Sequence, residues 1–306
     1  MDLDPRRLVV LRAVDRHGGV VGAAAALHVS PSAVSQQLAM LERESGFVLI
    51  DRSRRGGQRP LEFTPAGRRL VAHAYDLVQV LDDAEAELGS LAEDITGEVR
   101  IAAFFTVLRG FAGAALVELG RTYPALQPRV TNIDERTAVD DVQAGRVDLA
   151  LVEDDAQRRR IVPRGLYYEA LADDPFRVAV PVAWPEFDDL AAVADRPWID
   201  GPPDSATGQA MARVRTATGL SLPAPHLCRE FTAALAMVAA GLAGALIPDL
   251  AVVASAPADV RIVALPGLGA RRIGVIYRRS RNEPTPAVRA VLDLLRTSAA
   301  APAAGP

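Results

Sequence analysis

The sequence predicts an α/β protein with an N-terminal helical, winged helix-turn-helix head, a long linker helix and a larger α/β body. Three observations predict it. A short polar-faced helix follows an Ala-dense one before residue 45, apolar residues keep strict 4-3 spacing from Leu70 to Ile95, and strands alternate with helices from Val99 onward. A chain of 306 residues exceeds one simple core and suits two or three domains. Half of it is apolar and 24% is charged, the ordinary soluble range.

Arg6–Arg16 forms the first helix, with Leu8, Leu11 and Val14 turned toward the next two, and Gly18-Gly19 ends it. Val20–Leu27 is an Ala-dense helix that a neighbour can approach closely. Only His28, Val29 and Ser30 then precede the next helix, the connection length of a helix-turn-helix. Ser30 is the expected N-cap and Pro31 the first helical residue. Val34, Leu38 and Leu41 make an apolar stripe at i, i+4, i+7. Ser32, Ser35, Gln36, Ala39 and Arg43 fall on the other side. A short face of hydroxyls and an amide suits a groove whose edges are donors and acceptors. An ordinary packed helical hairpin is the competing reading of these residues.

After Gly46, two apolar-tinged segments flank an Arg/Gly-rich tip, FVLIDRSRRGGQRPLEFT. This is the pattern of a β-wing, with Arg52, Arg54, Arg55 and Arg59 placed to meet phosphate. A solvated basic loop would read the same. Residues 1–70 hold 11 Arg against 7 acidic residues, while the whole chain is net −4. A basic head on an acidic body is the asymmetry of a nucleic-acid reader with a separate control domain.

The run AAAALHVSPSAVSQQLAMLERESGFVLIDRSRRGGQRPLEFTPAG resembles the winged helix-turn-helix of LysR-type transcriptional regulators. It carries the Ala pair, the Leu and Ser, V-S-x-Q in the recognition helix, then LE, G and the closing T-x-A-G. Weaker echoes continue to about residue 295. Val21 stands where the family usually has a Ser or Thr before the Ala pair, with Gly22 after it, Ile50 replaces the usual Phe of the wing, and Gln36 sits where many members carry Arg. Gln pairs best with adenine and Arg with guanine, so Gln36 points to a base preference of its own.

From Pro65 a long helix carries Leu70, Ala74, Leu77, Leu81, Ala84, Leu88, Leu91 and Ile95 in alternating steps of four and three. That a/d seam calls for a partner helix, and its two Ala positions let two helices come close. Leu70, Leu77, Leu81, Leu88 and Leu91 are the expected dimer contacts. Two reading heads held a turn or more of DNA apart predict a pseudo-palindromic site.

After Gly97 the expected elements are strand Val99–Phe105, helix Leu108–Thr122, strand Arg129–Ile133, helix Thr137–Ala144 and strand Val147–Val152. A second unit opens near Asp173 with PFRVAV. It continues through Trp198–Asp200, a helix from about Ser205, Leu227–Arg229, helix Phe231–Ala240 and strand Gly244–Ile247. Strand Arg272–Tyr277 and helix Pro286–Arg296 return to the first unit. This alternation gives a mostly parallel sheet with helices on both faces.

The body resembles the two-lobed, periplasmic-binding-protein-like effector domain of the same family. The resemblance implies a cytoplasmic homodimer or homotetramer that binds double-stranded DNA, meets RNA polymerase and is controlled by a small-molecule effector in the cleft between lobes. The implied division is 1–64 for the DNA-binding head, 65–96 for the linker and 97–298 for the effector domain. Lobe I takes 97–172 with 268–298, lobe II takes 173–267, and 299–306 is a disordered tail. Ligands collect at the carboxyl ends of strands beside helix N-termini. Thr106 and Val107, Glu135 and Arg136, and Ser205 and Thr207 occupy those places. Thr106 matches the family position whose hydroxyl often meets the effector. Helix capping is an equal reading for Ser205 and Thr207. Glu135 in the cleft would disfavour a carboxylate ligand and Arg136 would favour one.

Nothing in the chain points to catalysis: G-x-S-x-G and G-x-x-x-x-G-K-[ST] are both absent. Gly267-Leu-Gly269 precedes a strand, not the helix a dinucleotide site needs. His226 and Cys228 lack a second ligand pair, so neither a metal nor a cofactor is expected. Cys228, the single cysteine, is expected to be a small buried hydrophobe. The first residues lack a charged-then-apolar pattern, so a signal peptide is not expected, and the uncharged run Phe231–Pro248, with its Ala, Gly and Pro, suits a core helix and strand better than a membrane span. All 34 basic residues are Arg. Arg158-Arg159-Arg160 reads as a solvated loop. Two other classes remain open: a ligand receptor or enzyme domain with an accessory helical head, and an architectural DNA protein that ignores metabolites.

Overall fold

A computed structural model describes residues 3–51, 62–90, 95–132, 135–157, 160–255, 257–278 and 284–300. They fall into two compact units. In the head, α1 (Pro5–Arg16), α2 (Val20–Ala26) and α3 (Pro31–Ser45) pack with the start of α4 (Pro65–Ser90). Ser30 Oγ accepts from Ala33 N at 3.1 Å, Pro31 opens α3, and Gly46 ends it at φ 73°. His28 takes a left-handed φ of 55° in the turn before α3. Leu11, Val14, Ala23, Ala24, Val34, Leu38 and Leu41 bury one another, as the apolar stripes require. A Cβ on Gly22 would lie 2.2 Å from the His17 carbonyl, so this departure from the family pattern permits α2 to abut the end of α1. Arg7 ties α1 to α3: Nε donates to Gln37 Oε1 at 3.2 Å, and Nη1 pairs with the Glu44 carboxylate.

The base of the wing is present. Ile50 pairs antiparallel with Phe63, and Asp51 N donates to the Glu62 carbonyl at 2.9 Å. The tip, with Arg52, Arg54, Arg55 and Arg59, lies outside the described residues. Two motif residues explain themselves here. Glu42 Oε1 of α3 accepts from Leu49 N at 2.9 Å and Ile50 N at 3.3 Å, fixing the wing to the recognition helix. Thr64 accepts from Gly67 N at 3.0 Å as the cap of α4 and donates to the Val48 carbonyl at 2.7 Å. A Cβ on Gly67 would fall 2.1 Å from the Leu49 carbonyl.

The linker helix corrects one expectation. Ala74, assigned to the partner-facing seam, is wholly buried, on the same side of α4 as the buried Val71, Tyr75 and Val78. The cause is the 3.6-residue period, which turns positions 71, 74, 75 and 78 to one side. Val80 and Leu81 are 65% and 51% exposed on the remaining surface. The side chain of Leu88 and all of Leu91 lie outside the described residues.

The body runs β1 (Gly97–Ala103), α5 (Phe105–Val107), a π-helical turn (Leu108–Ala112), α6 (Gly113–Thr122), β2 (Leu126–Asn132), α7 (Glu135–Gln143), β3 (Leu149–Asp155) and β4 (Leu166–Pro181). A 3-10 turn (Leu190–Val193) leads to β5 (Trp198–Asp200), α8 (Ala206–Thr218), β6 (His226–Leu227), α9 (Phe231–Ala239) and β7 (Gly244–Pro248). Last come α10 (Asp249–Ser255), β8 (Val260–Val263), β9 (Ala270–Arg278) and α11 (Pro286–Ala300). The strand order is β2-β1-β3-β9-β4-β7-β5-β6, with β8 also on β4.

β1 runs parallel to β2 and β3, and β5 parallel to β6 and β7, giving two lobes. The sequence places a new strand at PFRVAV. It is instead the second half of β4, a 16-residue strand. The first half of β4 pairs with β9 and the second with β7 and β8, so β4 belongs to both lobes. Its first half, LYYEALADD, lacks a clean apolar run because much of it is only half-buried. α10 and β8 also went unread. Phe176, Trp198, Met211 and Val214 fill the second lobe on the α8 side, and Ala179, Leu235, Val238 and Ile247 on the α9 side. At the C-terminus α11 continues to Ala300, so residues 299 and 300 are helical, because an Ala-rich end extends a helix readily. Residues 301–306 lie outside the described ones.

Replacing Glu42 by Ala should leave the Leu49 and Ile50 amides without their acceptor and lower the head's unfolding free energy by about 1–3 kcal/mol. Urea unfolding of wild type and Glu42→Ala, followed by circular dichroism, measures this.

Candidate nucleic-acid interface and ligand cleft

The recognition helix shows its two sides plainly. Val34, Leu38 and Leu41 are buried, while Ser30, Pro31, Ser32, Ser35, Gln36 and Arg43 are exposed. Ser32 Oγ lies 2.9 Å from Ser30 Oγ, and Ser35 Oγ donates to the Pro31 carbonyl at 3.0 Å. The hydroxyls are thus held in fixed directions and keep acceptor lone pairs outward. Gln36 presents an exposed primary amide, a donor and an acceptor in one plane, one turn in from the helix start. Arg43, near the far end, supplies a cation at the same surface.

In the body, Thr106 opens into something other than a vacant cleft. It is 6% exposed, and its hydroxyl accepts from Arg271 Nη2 at 2.8 Å. Arg271, on β9, is 1% exposed. Its Nε donates to Asp174 Oδ2 at 2.9 Å and its Nη1 to the Glu153 carboxylate. The rings of Phe104 and Phe231 flank the guanidinium at 5.5 and 5.2 Å. Asp174 Oδ1 also accepts from Leu250 N at 3.0 Å. Burial pushes the Asp174 carboxyl above the ordinary aspartate range, and the adjacent guanidinium pulls it back down. Thr106, Glu153 and Phe104 belong to the first lobe and Phe231 and Leu250 to the second, so one guanidinium joins both.

Val107, the last residue of α5, is wholly buried in the first lobe. Ser205 is occupied as the cap of α8, accepting from Gly208 N at 3.1 Å and donating to the Pro202 carbonyl at 2.7 Å. Thr207 is buried. Glu135 and Arg136 begin α7, and their side chains lie outside the described residues. Cys228 is a free thiol, half-buried against the second lobe's core and donating to the Glu230 carbonyl at 3.3 Å, so it is less enclosed than expected.

Open space lies on another flank of the cleft. A cavity of about 730 Å³ is bounded by Asp155, Gln157, Asp200, Gln209, Arg213 and Arg215, among others. Arg213 Nη1 of α8 meets Asp155 Oδ2 at the end of β3 at 2.6 Å, a second link between lobes. Neither Arg271 nor this cavity was foreseen. An Arg at the start of an otherwise apolar strand, with paired Asp173-Asp174 upstream, was the available signal. Among the described residues no group of three His, Cys, Asp or Glu is arranged for a metal, and no helix is long and apolar enough to cross a membrane.

The chain's match to known proteins agrees with this geometry. Residues 5–68 match the bacterial regulatory helix-turn-helix protein, lysR family, and residues 92–300 match the LysR substrate binding domain. The chain therefore belongs to the LysR family of DNA-binding transcriptional regulators. An HTH-type transcriptional regulator of Mycobacterium tuberculosis is 29% identical over 302 residues, 93% of each chain. Full-length OxyR from Pseudomonas aeruginosa superposes with a TM-score of 0.74 at 18% identity, covering 99% of this chain and 100% of that one. Full-length CbnR complexed with its target DNA gives 0.63 at 21% identity, covering 97% of this chain and 100% of that one.

Arg271→Met should strand the buried Asp174 carboxylate, together with the part-buried Glu153, and cost about 3–5 kcal/mol of stability at neutral pH. Asp174 then titrates higher still, so the stabilising protonation is present at low pH and lost as pH rises. The deficit against wild type should be smaller at pH 5 than at pH 8, measured as guanidinium unfolding midpoints.

Proposed function

We propose that this regulator reads a pseudo-palindromic operator as a dimer or tetramer, with Gln36 and the hydroxyls of Ser30, Ser32 and Ser35 meeting base edges. Arg43 and the wing residues Arg52, Arg54 and Arg55 meet phosphate. The single observation that carries this reading is the exposure of the amide-and-hydroxyl side of α3 while its apolar side packs inward. Gln36 favours adenine because its amide matches the N6–N7 edge bidentately. Residues 1–64 form the reading head and 65–96 the linker. The rest, to Ala300, forms the control domain, with lobe I at 97–172 and 268–298 and lobe II at 173–267.

Dimerisation runs along α4, where Val80 and Leu81 are exposed and Leu77 is half-buried, and it draws on Leu70, which also packs on the head, and on Leu88 and Leu91. A small molecule bound in the control domain biases its two lobes by its difference in affinity between their arrangements. That bias reaches DNA as a change in the spacing or bend imposed by paired heads. The protein works in the cytoplasm and contacts RNA polymerase at its promoters.

Gln36→Ala should reduce discrimination between matched and altered operators by about 1–3 kcal/mol, whereas Arg52→Ala should weaken all duplexes alike and flatten the salt dependence. Gel-shift titrations at two salt concentrations separate the two, and a uniform loss in both variants removes the role given to Gln36. Leu81→Asp should yield monomers by light scattering, and an unchanged mass refutes the α4 seam.

A further inference from the structure

The recess beside Thr106 lies beyond the carboxyl end of β1, where open α/β sheets collect ligands, and the chain fills it with a side chain of its own. Arg271 reaches in from β9 and is buried. Each nitrogen of its guanidinium has an acceptor. Nε and Nη2 lie 2.9 and 2.8 Å from Asp174 Oδ2, Nη2 also donates to Thr106 Oγ1 at 2.8 Å, and Nη1 pairs with Glu153. The guanidinium carbon also lies over the rings of Phe104 and Phe231. Among the described residues, none of Thr106, Glu153, Asp174 and Arg271 leaves a buried side-chain nitrogen or oxygen without a partner. A free molecule would find nothing here left to complete.

The surroundings select for this one kind of cation. Two carboxylates meet a single guanidinium, so the recess is net negative without it. Acceptors spread around the group, with aromatic rings alongside, fit a guanidinium, which forks its donors in one plane and stacks on rings. An ammonium concentrates its donors at one point and fits less well. The contacts also cross the cleft. Thr106, Phe104 and Glu153 belong to the first lobe and Phe231 to the second, and Asp174 Oδ1 accepts from Leu250 N of the second lobe at 3.0 Å. We propose that this recess is a guanidinium-binding cage and that Arg271 is its resident, tethered ligand, holding the two lobes together with no free molecule present. A small molecule that biases the lobes then works from outside this recess. The effect on DNA rests on the regulator reading above; the cage does not.

The test removes the side chain and returns its head group. Wild type, Arg271→Ala and Phe231→Leu, each as the full chain, are titrated with guanidinium chloride at millimolar concentrations, far below those that denature. Urea, planar and neutral, and sodium chloride are the controls. In Arg271→Ala, guanidinium should raise the thermal midpoint saturably and the controls should not. In wild type all three should act alike, because the cage is full. A guanidinium response in Arg271→Ala no larger than that of wild type overturns the cage. If Arg271→Ala does not fold alone, its refolding yield with and without guanidinium gives the same comparison, and equal yields overturn the cage. The second readout is affinity for a duplex that the wild-type chain selects from a randomised library. Arg271→Ala should change that affinity about tenfold, as when the competent arrangement shifts its population by that factor, and guanidinium should return it to the wild-type value. Phe231→Leu, which keeps the ion pairs and loses the ring from the second lobe, should move it in the same direction. Affinity unchanged in both variants overturns the hold on the lobes. A wild-type chain that selects no duplex refutes the operator reading, and the midpoint shift still decides the cage.

Discussion

The guanidinium of Arg271 stands where the two lobes meet, and the arrangement of the body follows from how it is satisfied. Asp174 on β4 and Asp155 on β3 are its register neighbours on either side of β9. Desolvating a guanidinium and a carboxylate costs more than their attraction returns unless further partners are in place. Those partners come from four separate segments: Thr106 and Phe104 after β1, Glu153 on β3, Phe231 at the start of α9, and Leu250 in α10. The network contributes definition rather than net stability, because only one placement of β1, β3, β4, β9 and α9 closes it.

The head solves a different problem with the same economy of contacts. Three short helices cannot bury much apolar surface, so single polar residues set the angles between them. Arg7 spans α1 and α3, Glu42 fastens the wing to the recognition helix, and Thr64 with Gly67 turns the chain from wing into α4. Each is a side chain satisfying backbone or charged groups at the end of an element, where the helix or strand cannot satisfy them itself. Holding the outer face of α3 at a fixed pitch to the wing is what a groove reader requires.

How much of this was legible in the sequence follows from the range of the interactions involved. Caps, stripes and turns are local, and Ser30, Pro31 and the Val34–Leu38–Leu41 stripe placed the start and the inward side of α3. The exposed polar face followed by periodicity alone. Long-range pairing was hidden: a strand that serves two lobes has no uniform pattern, so only the second half of β4 read as a strand. Ala74 was misplaced because a 3.5-residue seam and the 3.6-residue buried stripe of α4 share that position. Thr106 was marked as an effector contact, whereas its hydroxyl is engaged by Arg271, 165 residues away, and nothing near either announces the other. Arg213 and its cavity depend on the approach of α8 to β3, which spacing cannot express.

The π-helical turn at Leu108–Ala112 carries one consequence of its own. It holds an extra residue between the cleft end of α5 and the core-facing part of α6, and Gly110 within it abuts Leu250, where a Cβ would lie 2.6 Å from Cδ2. Each residue of a helix advances its face by about 100°. Shortening this turn by one would therefore swing Ala115 and Leu119 off the sheet while leaving Thr106 in place. The wide turn lets the two ends of one continuous helical run obey different masters, one the polar junction and the other the apolar interior.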